Sequence, residues 1–399
     1  MNEFFRRKLE NGITVIMERR DLPLVSLSIS NQFGAEFEKS EIKGIAHVIE
    51  HLLFTGTKKR THEDISREIE KKGGVLNAYT DHGVTSYWFK LPSEHVFAGL
   101  DILTDMLNNT IFKEDKFEKE KKVILEEIKM YHDDPRSHAF EQLEKNLYEK
   151  PFGETIIGNK ESVSGLKRDF VASYFKEVYN PENYIVTIVG NADFEKICTY
   201  LERNFAANKA KPKPIEIKKR YARTVETRND IDQAHIVFGM HAPLPSEKEF
   251  IALDVLDGYL ANGMSSRLFL EIREKRGLAY AVKSIAGFGK NYSHYMIYIG
   301  TTKEALKEVE KIIVEEFSKI NDMTEKDLNE SKERVIGLKR VVAEDSADVM
   351  NNLLFNELTG KAEEYYSYEE KIKEVSLDQV KKLAKELIKN YSTAAVTPK

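Results

Sequence analysis

Cysteine is almost absent: Cys198 stands alone in 399 residues. One thiol cannot form an intrachain disulfide, and no zinc module built on several cysteines is available, which fits a reducing cytosol. Long apolar runs are missing too. The most hydrophobic stretches, residues 25–29 and 185–189, fall far short of the ~18–20 residues that cross a bilayer. The opening MNEFFRRKLENGITVIMERR brings charges back before any apolar segment reaches signal-peptide length. Neither sign of charge is in surplus: 61 basic residues against 66 acidic ones leave a net charge of −5. That balance offers no electrostatic footprint for nucleic acid or an anionic membrane. These absences predict a cytoplasmic protein with no nucleic-acid and no membrane partner.

What is present suits a globular enzyme-sized chain. Hydrophobic residues at 41% and charged residues at 32% can build substantial cores under a solvated surface. A chain of this length exceeds one ordinary core and suits two domains of roughly 200 residues.

Residues 13–17 and 24–30 are apolar and β-branched, and the turn Asp21-Leu22-Pro23 separates them, so both read as strands. After Gly44, Ile45, Val48, Ile49, Leu52 and Leu53 recur at helical spacing. A second helix over 62–71 stops at Gly73-Gly74, and residues 75–91 alternate as extended chain. Helices over 96–108 and 113–131, a strand over 184–189 and a helix over 193–205 complete the half. The Lys/Pro run NKAKPKPIEIKKR from Asn208 then favours an exposed, extended linker.

The second half repeats this order: a strand over 234–240, a helix over 247–260, a helix ending at Arg276-Gly277, a strand pair over 278–299, and helices over 303–320 and 325–344. Local echoes agree. REIEKKGGVLNAY, ending at Tyr79, parallels LEIREKRGLAY, ending at Tyr280, and EKKVILEEI, ending at Ile128, parallels KERVIGLKR, ending at Arg340. The common order predicts an α+β fold of two similar domains, each an antiparallel sheet packed with helices and related by internal duplication. The predicted boundaries are 1–207 for the first domain, 208–222 for the linker and 223–399 for the second domain.

The chemistry concentrates in His47-Val-Ile-Glu-His51. Histidines at i and i+4 lie about 6 Å apart along a helix and share a face, so both imidazoles can reach one ion. Zinc takes such nitrogen ligands, and catalytic zinc sites use three protein ligands and keep one position open. Glu50 sits beside the pair, placed to accept a proton from a water that the metal acidifies. A carboxylate would suit as third ligand. Glu120 and Glu127, two helical turns apart on one face, are the candidates, whereas Glu126 points some 100° away.

An H-x-x-E-H motif with a glutamate 76 residues after its second histidine resembles the pitrilysin/insulinase family of zinc metallopeptidases, the inverzincins. GIAHVIEHLLFTGT, GGVLNAYTDHGVTSYW, EKKVILEEIKMYHDDP, YNPENYIVTIVGN and SSRLFLEIREKRGLAY all look like segments of that family, and they run through most of the chain. The length resembles the half-size, bacterial processing-peptidase-like branch.

The resemblance implies a zinc-dependent endopeptidase acting on peptides or unfolded polypeptide. His47, His51 and Glu127 would be the ligands of one zinc per chain, with Glu50 the general base and Glu120 supporting a ligand histidine. Asn77 and Ala78 match the segment that meets substrate, where an exposed strand edge can pair with a peptide backbone. Arg273 and Tyr280 match an Arg/Tyr pair that can hold the substrate carbonyl or its oxyanion. Overlaying the two halves puts Asp254, Asp257 and Gly258 near the places of His47, Glu50 and His51, and Lys339 near that of Glu127, so no second copy of the site is expected. The double-length relatives imply a homodimer with shared active sites. The alternative is a non-catalytic assembly or scaffold subunit of the same superfamily.

Overall fold

Apolar, β-branched segments spaced along the first half pair into a six-stranded sheet. Its strands are β1 (Glu3–Lys8), β2 (Thr14–Arg19), β3 (Leu24–Asn31), β4 (Val75–Thr80), β5 (Thr85–Pro92) and β6 (Tyr184–Gly190), in the order β1-β2-β6-β3-β5-β4. A second sheet holds β7 (Arg223–Arg228), β8 (Ala234–His241), β9 (Ala279–Phe288), β10 (Ser293–Thr301) and β11 (Ser392–Pro398), in the order β7-β11-β8-β10-β9. The computed structural model describes residues 3–207 and 212–399.

The two sheets share one plan. Each is antiparallel except for a single parallel pair, β2 with β6 in the first and β7 with β11 in the second. Without β1, the strand orders correspond position by position. The echo around Tyr79 and Tyr280 also has a shared geometry. In each half a helical segment ends at a glycine with positive φ, Gly73 at +74° or Gly277 at +63°, and the chain enters an edge strand, β4 or β9. The fold is therefore α+β with an internal duplication, and each sheet is mixed rather than wholly antiparallel.

The compact units do not coincide with the two sequence halves. One comprises Met1–Ile128, Thr155–Glu216 and Val342–Ala362; the other comprises Lys129–Glu154, Ile217–Val341 and Glu363–Lys399. The helix Pro135–Leu147 packs Ala139, Leu143 and Leu147 against Val237, Met296 and Ala394 of the second sheet. Its counterpart, the helix Ser346–Thr359, lies on β3 and β6 of the first sheet, with Ser346 Oγ 2.9 Å from Ser26 Oγ. An aspartate caps the start of each helix, Asp134 or Asp345. These helices cover the faces opposite the main helical cores, which is why β6, β8 and β10 read as nearly continuous buried runs without polar alternation.

Residues 208–211 of the expected linker lie outside the described residues. Further along, Ile215 N–H donates to Glu36 O, Arg220 N–H donates to Leu147 O and Lys218 O accepts from Glu149 N–H, so the run is anchored by backbone bonds. The segment expected as a helix up to Arg276 contains a π-helical turn, Phe269–Glu274. Among the described residues no helix is long and apolar enough to cross a membrane.

Candidate metal centre

The helix Ile45–Leu53 begins at Gly44, whose φ of +93° is left-handed. A Cβ there would lie 2.6 Å from the Ile157 carbonyl oxygen, so glycine is the residue that fits the turn. Two amides at the helix start are satisfied by the buried Glu38 carboxylate, from Gly44 at 2.9 Å and Ala46 at 2.7 Å. Burial raises the Glu38 carboxyl, while Lys43, 3.8 Å away, pulls it down. Lys43 also donates to Ala35 O at 2.8 Å. This buried cluster holds the helix and its histidines in place.

His47 and His51 then share the helix face expected from their spacing, with ring centroids 4.6 Å apart. The helix Glu114–Asp133 passes beside them, pinned by Lys121 Nζ donating to Ser164 O and Leu166 O, each at 3.2 Å. It brings one Glu127 oxygen, Oε2, to 3.7 Å from His47 Nε2 and 3.6 Å from His51 Nε2. Glu120, one face-repeat earlier, places Oε2 3.4 Å from His51 Nδ1. Glu126 is exposed.

The three groups fit a zinc ion by donor type and by spacing. Two imidazoles and a carboxylate form a known donor set for catalytic zinc. Bond lengths of about 2.0–2.2 Å in a tetrahedron separate ligand atoms by roughly 3.4 Å. The observed 3.6 and 3.7 Å come within a few tenths of this and are too long for good hydrogen bonds.

The charges form a graded set. Burial works against the charge on His51, yet Glu120 and Glu127 push its pKa up to about 9. Burial, reinforced by His51, holds His47 down. The neighbouring His51 is the main reason Glu127 is lowered. Glu50 is raised by burial, and the Thr80 hydroxyl, donating to its Oε2 at 2.5 Å, works in the opposite direction.

Glu50 and His51 open onto a cavity of about 330 Å³ also lined by Phe54, Asn77 and Glu120. Asn77 and Ala78 lie on β4, the sheet edge beyond β5. The Ala78 amide donates to the Asn77 side-chain oxygen at 2.8 Å. His47, Glu50, His51, Asn77, Ala78, Glu120 and Glu127 all belong to the first compact unit.

Arg273 and Tyr280 belong to the second unit. Arg273 is exposed on the π-helical turn, with its guanidinium 4.9 Å from the Phe269 ring centroid. Tyr280 is exposed on the edge strand β9, its hydroxyl 3.4 Å from that of Tyr298.

In this unit the residues overlaid on the metal motif make an internal ionic cluster. Tyr368 OH donates to Asp254 at 2.8 Å and Tyr295 OH donates to Asp257 at 2.6 Å. Burial pushes the Asp254 carboxyl up to about 6. Lys339 lies over the rings of Tyr365 and Tyr368 at 4.8 and 5.3 Å; burial lowers its ammonium, with Asp254 opposing. At Gly258 a Cβ would meet Val335 at 2.9 Å, so the Lys339 helix closes over the position overlaid on His51.

Sequence reasoning missed Thr80, thirty residues from the carboxylate it bonds, and Glu38, whose role depends on burial. It also missed a second group of metal-capable side chains, His132, His138 and Glu226. Close spacing of His132 and His138 in "HDDPRSH" is the one signal that could have drawn attention to them.

Comparison with known proteins gives these observations a context. Residues 14–160 match the family model described as "Insulinase (Peptidase family M16)", and residues 165–335 match "Peptidase M16 inactive domain". The chain is 30% identical over 401 residues to the Bacillus subtilis (strain 168) protein named "Uncharacterized zinc protease YmxG", covering 98% of each. A Rickettsia felis protein named "Uncharacterized zinc protease" is 33% identical over 323 residues, 80% of this chain and 78% of the other. The crystal structure of a protease from Helicobacter pylori shares the fold with a TM-score of 0.93, at 22% identity over the whole of both chains.

Proposed function

The chain belongs to the insulinase family, peptidase family M16, and from that premise we propose that it is a zinc-dependent endopeptidase of peptides or unfolded segments in the cytoplasm. One observation carries the reading: a single Glu127 oxygen stands 3.6–3.7 Å from both histidine Nε2 atoms, with the Glu50 carboxylate in the adjoining cavity. His47, His51 and Glu127 would hold one zinc at this centre. That ion would supply Lewis acidity, polarising the scissile carbonyl and acidifying the attacking water.

The chain's own groups do the rest. Glu50 accepts the proton of the attacking water and returns it to the leaving amine. The Thr80 hydroxyl favours the ionised form of that carboxylate against the effect of burial, and Glu120 orients His51 through Nδ1. The outer edge of β4 receives the substrate backbone as an added strand. A peptide carbonyl accepting from Ala78 N–H would displace the Asn77 side-chain oxygen that holds it at 2.8 Å.

Arg273 and Tyr280 bind the carbonyl oxygen and its developing negative charge. The working assembly is a homodimer, in which each centre faces Arg273 and Tyr280 of the partner subunit. The alternative, a non-catalytic assembly subunit, draws on the description "inactive domain" for residues 165–335. Those residues carry no H-x-x-E-H, whereas His47, Glu50 and His51 lie in the other matched region. Hydrolysis of a mixed peptide pool, read by mass spectrometry with chelator-treated and Glu50→Gln protein as controls, decides between them. Cleavage lost in both controls supports the peptidase, and no cleavage by the zinc-loaded native chain rejects it.

A further inference from the structure

The second unit holds a group of side chains outside the centre described above. His132 lies in the last turn of the helix Glu114–Asp133, His138 in the first turn of Pro135–Leu147, and Glu226 on β7. One ligand-capable atom from each lies within 4.8 Å of the others. The histidine rings stand 4.6 Å apart, and Glu226 Oε2 is 2.8 Å from His138 Nε2.

The surroundings hold these groups in place. The Arg228 Nε–H donates to Glu226 Oε1 at 2.7 Å, which leaves Oε2 directed at His138. The Arg228 NH1 group donates to the His132 carbonyl at 2.6 Å, fixing the last turn of that helix. Gln142 Nε2 is 3.2 Å from His138 Nε2. Asp133 Oδ1 is 3.6 Å from His132 Nδ1.

Two further observations point to a ligand. The His138 side chain is only 5% exposed, so burial fixes its ring with Nε2 turned toward Glu226. The formal charge also favours a cation: Glu226, Glu141 and Asp133 together outweigh Arg228 and Lys145 by one negative charge, even with both imidazoles neutral.

We propose that His132, His138 and Glu226 form a second metal site, selective for transition ions such as Zn²⁺, Co²⁺ and Ni²⁺. Imidazole with one carboxylate suits these ions, whereas Ca²⁺ and Mg²⁺ need more oxygen ligands. The site is weaker than the centre at His47. His132 and Glu226 are 59% and 39% exposed, and the Arg228 cation stands against the carboxylate. His132 is exposed, so its ring can turn to bring a nitrogen to the roughly 3.4 Å ligand separation of a tetrahedral site. A bound ion would staple the end of the Glu127 helix, the helix Pro135–Leu147 and β7 together. The site serves stability rather than peptide hydrolysis.

The test counts metal on the full chain. After chelator treatment and dialysis, the native protein is titrated with ZnCl₂ against a chromophoric chelator, alongside His132→Ala and Glu226→Gln. The native chain should take up two equivalents. In both variants the weaker equivalent should lose at least about tenfold in affinity while the tighter one is unchanged. His132 is exposed, so His132→Ala leaves the fold intact. A parallel titration of His47→Ala/His51→Ala with NiCl₂ should show one equivalent and a rise in Tm, both lost on adding His132→Ala. One equivalent in the native chain, or a second equivalent indifferent to His132→Ala, overturns the proposal.

Discussion

Thr80→Val removes the hydroxyl that donates to Glu50 at 2.5 Å and keeps the shape of the side chain. A hydrogen bond to a charged group contributes about 1.5–3 kcal/mol, and each pKa unit corresponds to about 1.4 kcal/mol. Losing the bond should raise the Glu50 pKa by roughly one to two units. The lower figure applies here, because water in the cavity beside Glu50 replaces part of what is lost. Burial already holds this carboxyl high, so the added rise moves the base toward its protonated form.

A general base must be ionised, so the acid limb of kcat/KM against pH should move up by about one unit. Below that limb activity falls about tenfold, while the plateau at higher pH is nearly kept. The assay is cleavage of a quenched peptide from pH 5 to 8, with zinc content measured on every sample, since protonation of His51 also releases metal at low pH. Thr80→Ser should restore the native profile. An acid limb within 0.3 unit of native, with zinc retained, would refute the role of Thr80.

Glu127→Gln should lose stoichiometric zinc, Glu126→Gln should keep zinc and substantial activity, and Glu50→Gln should keep zinc while abolishing turnover; metal analysis beside peptide cleavage checks all three. Mixing inactive Glu50→Gln with inactive Tyr280→Phe should restore up to about half of native activity per heterodimer if the partner completes each centre, and none after confirmed subunit exchange if it does not. Burial holds His294 at about 4, against an ordinary 6.5, so its contribution is fully present above pH 6.5 and lost as pH falls toward 4. His294→Gln should therefore flatten the urea-unfolding stability profile across that window by about 3 kcal/mol. Gly44→Ala should destabilise the first unit by about 2 kcal/mol or more, through its left-handed φ and the 2.6 Å contact with Ile157 O, read as a lower urea midpoint.

Much of the molecule is written in short-range pattern. Helical spacing after Gly44 predicts the helix Ile45–Leu53, and alternation predicts extended chain over residues 75–91, which the structure divides into β4 and β5. Two echoes 200 residues apart announce a duplication that the matched sheet orders display. The shared face of His47 and His51 is also local, because an i, i+4 relation holds on any α-helix.

Choices that depend on partners distant in sequence were made by tertiary packing. Glu120 and Glu127 share a helix face, and only the placement of that helix, anchored through Lys121, brings Glu127 between the two Nε2 atoms and Glu120 to Nδ1. Thr80 reaches Glu50 because β4 borders the cavity, and no pattern in residues 75–91 encodes that. The helices Pro135–Leu147 and Ser346–Thr359 carry apolar side chains that need a cover, but their sequences do not say which sheet supplies it. That was decided by which exposed sheet face each could bury: apolar burial is non-directional, and the partner it selects is a property of the folded chain.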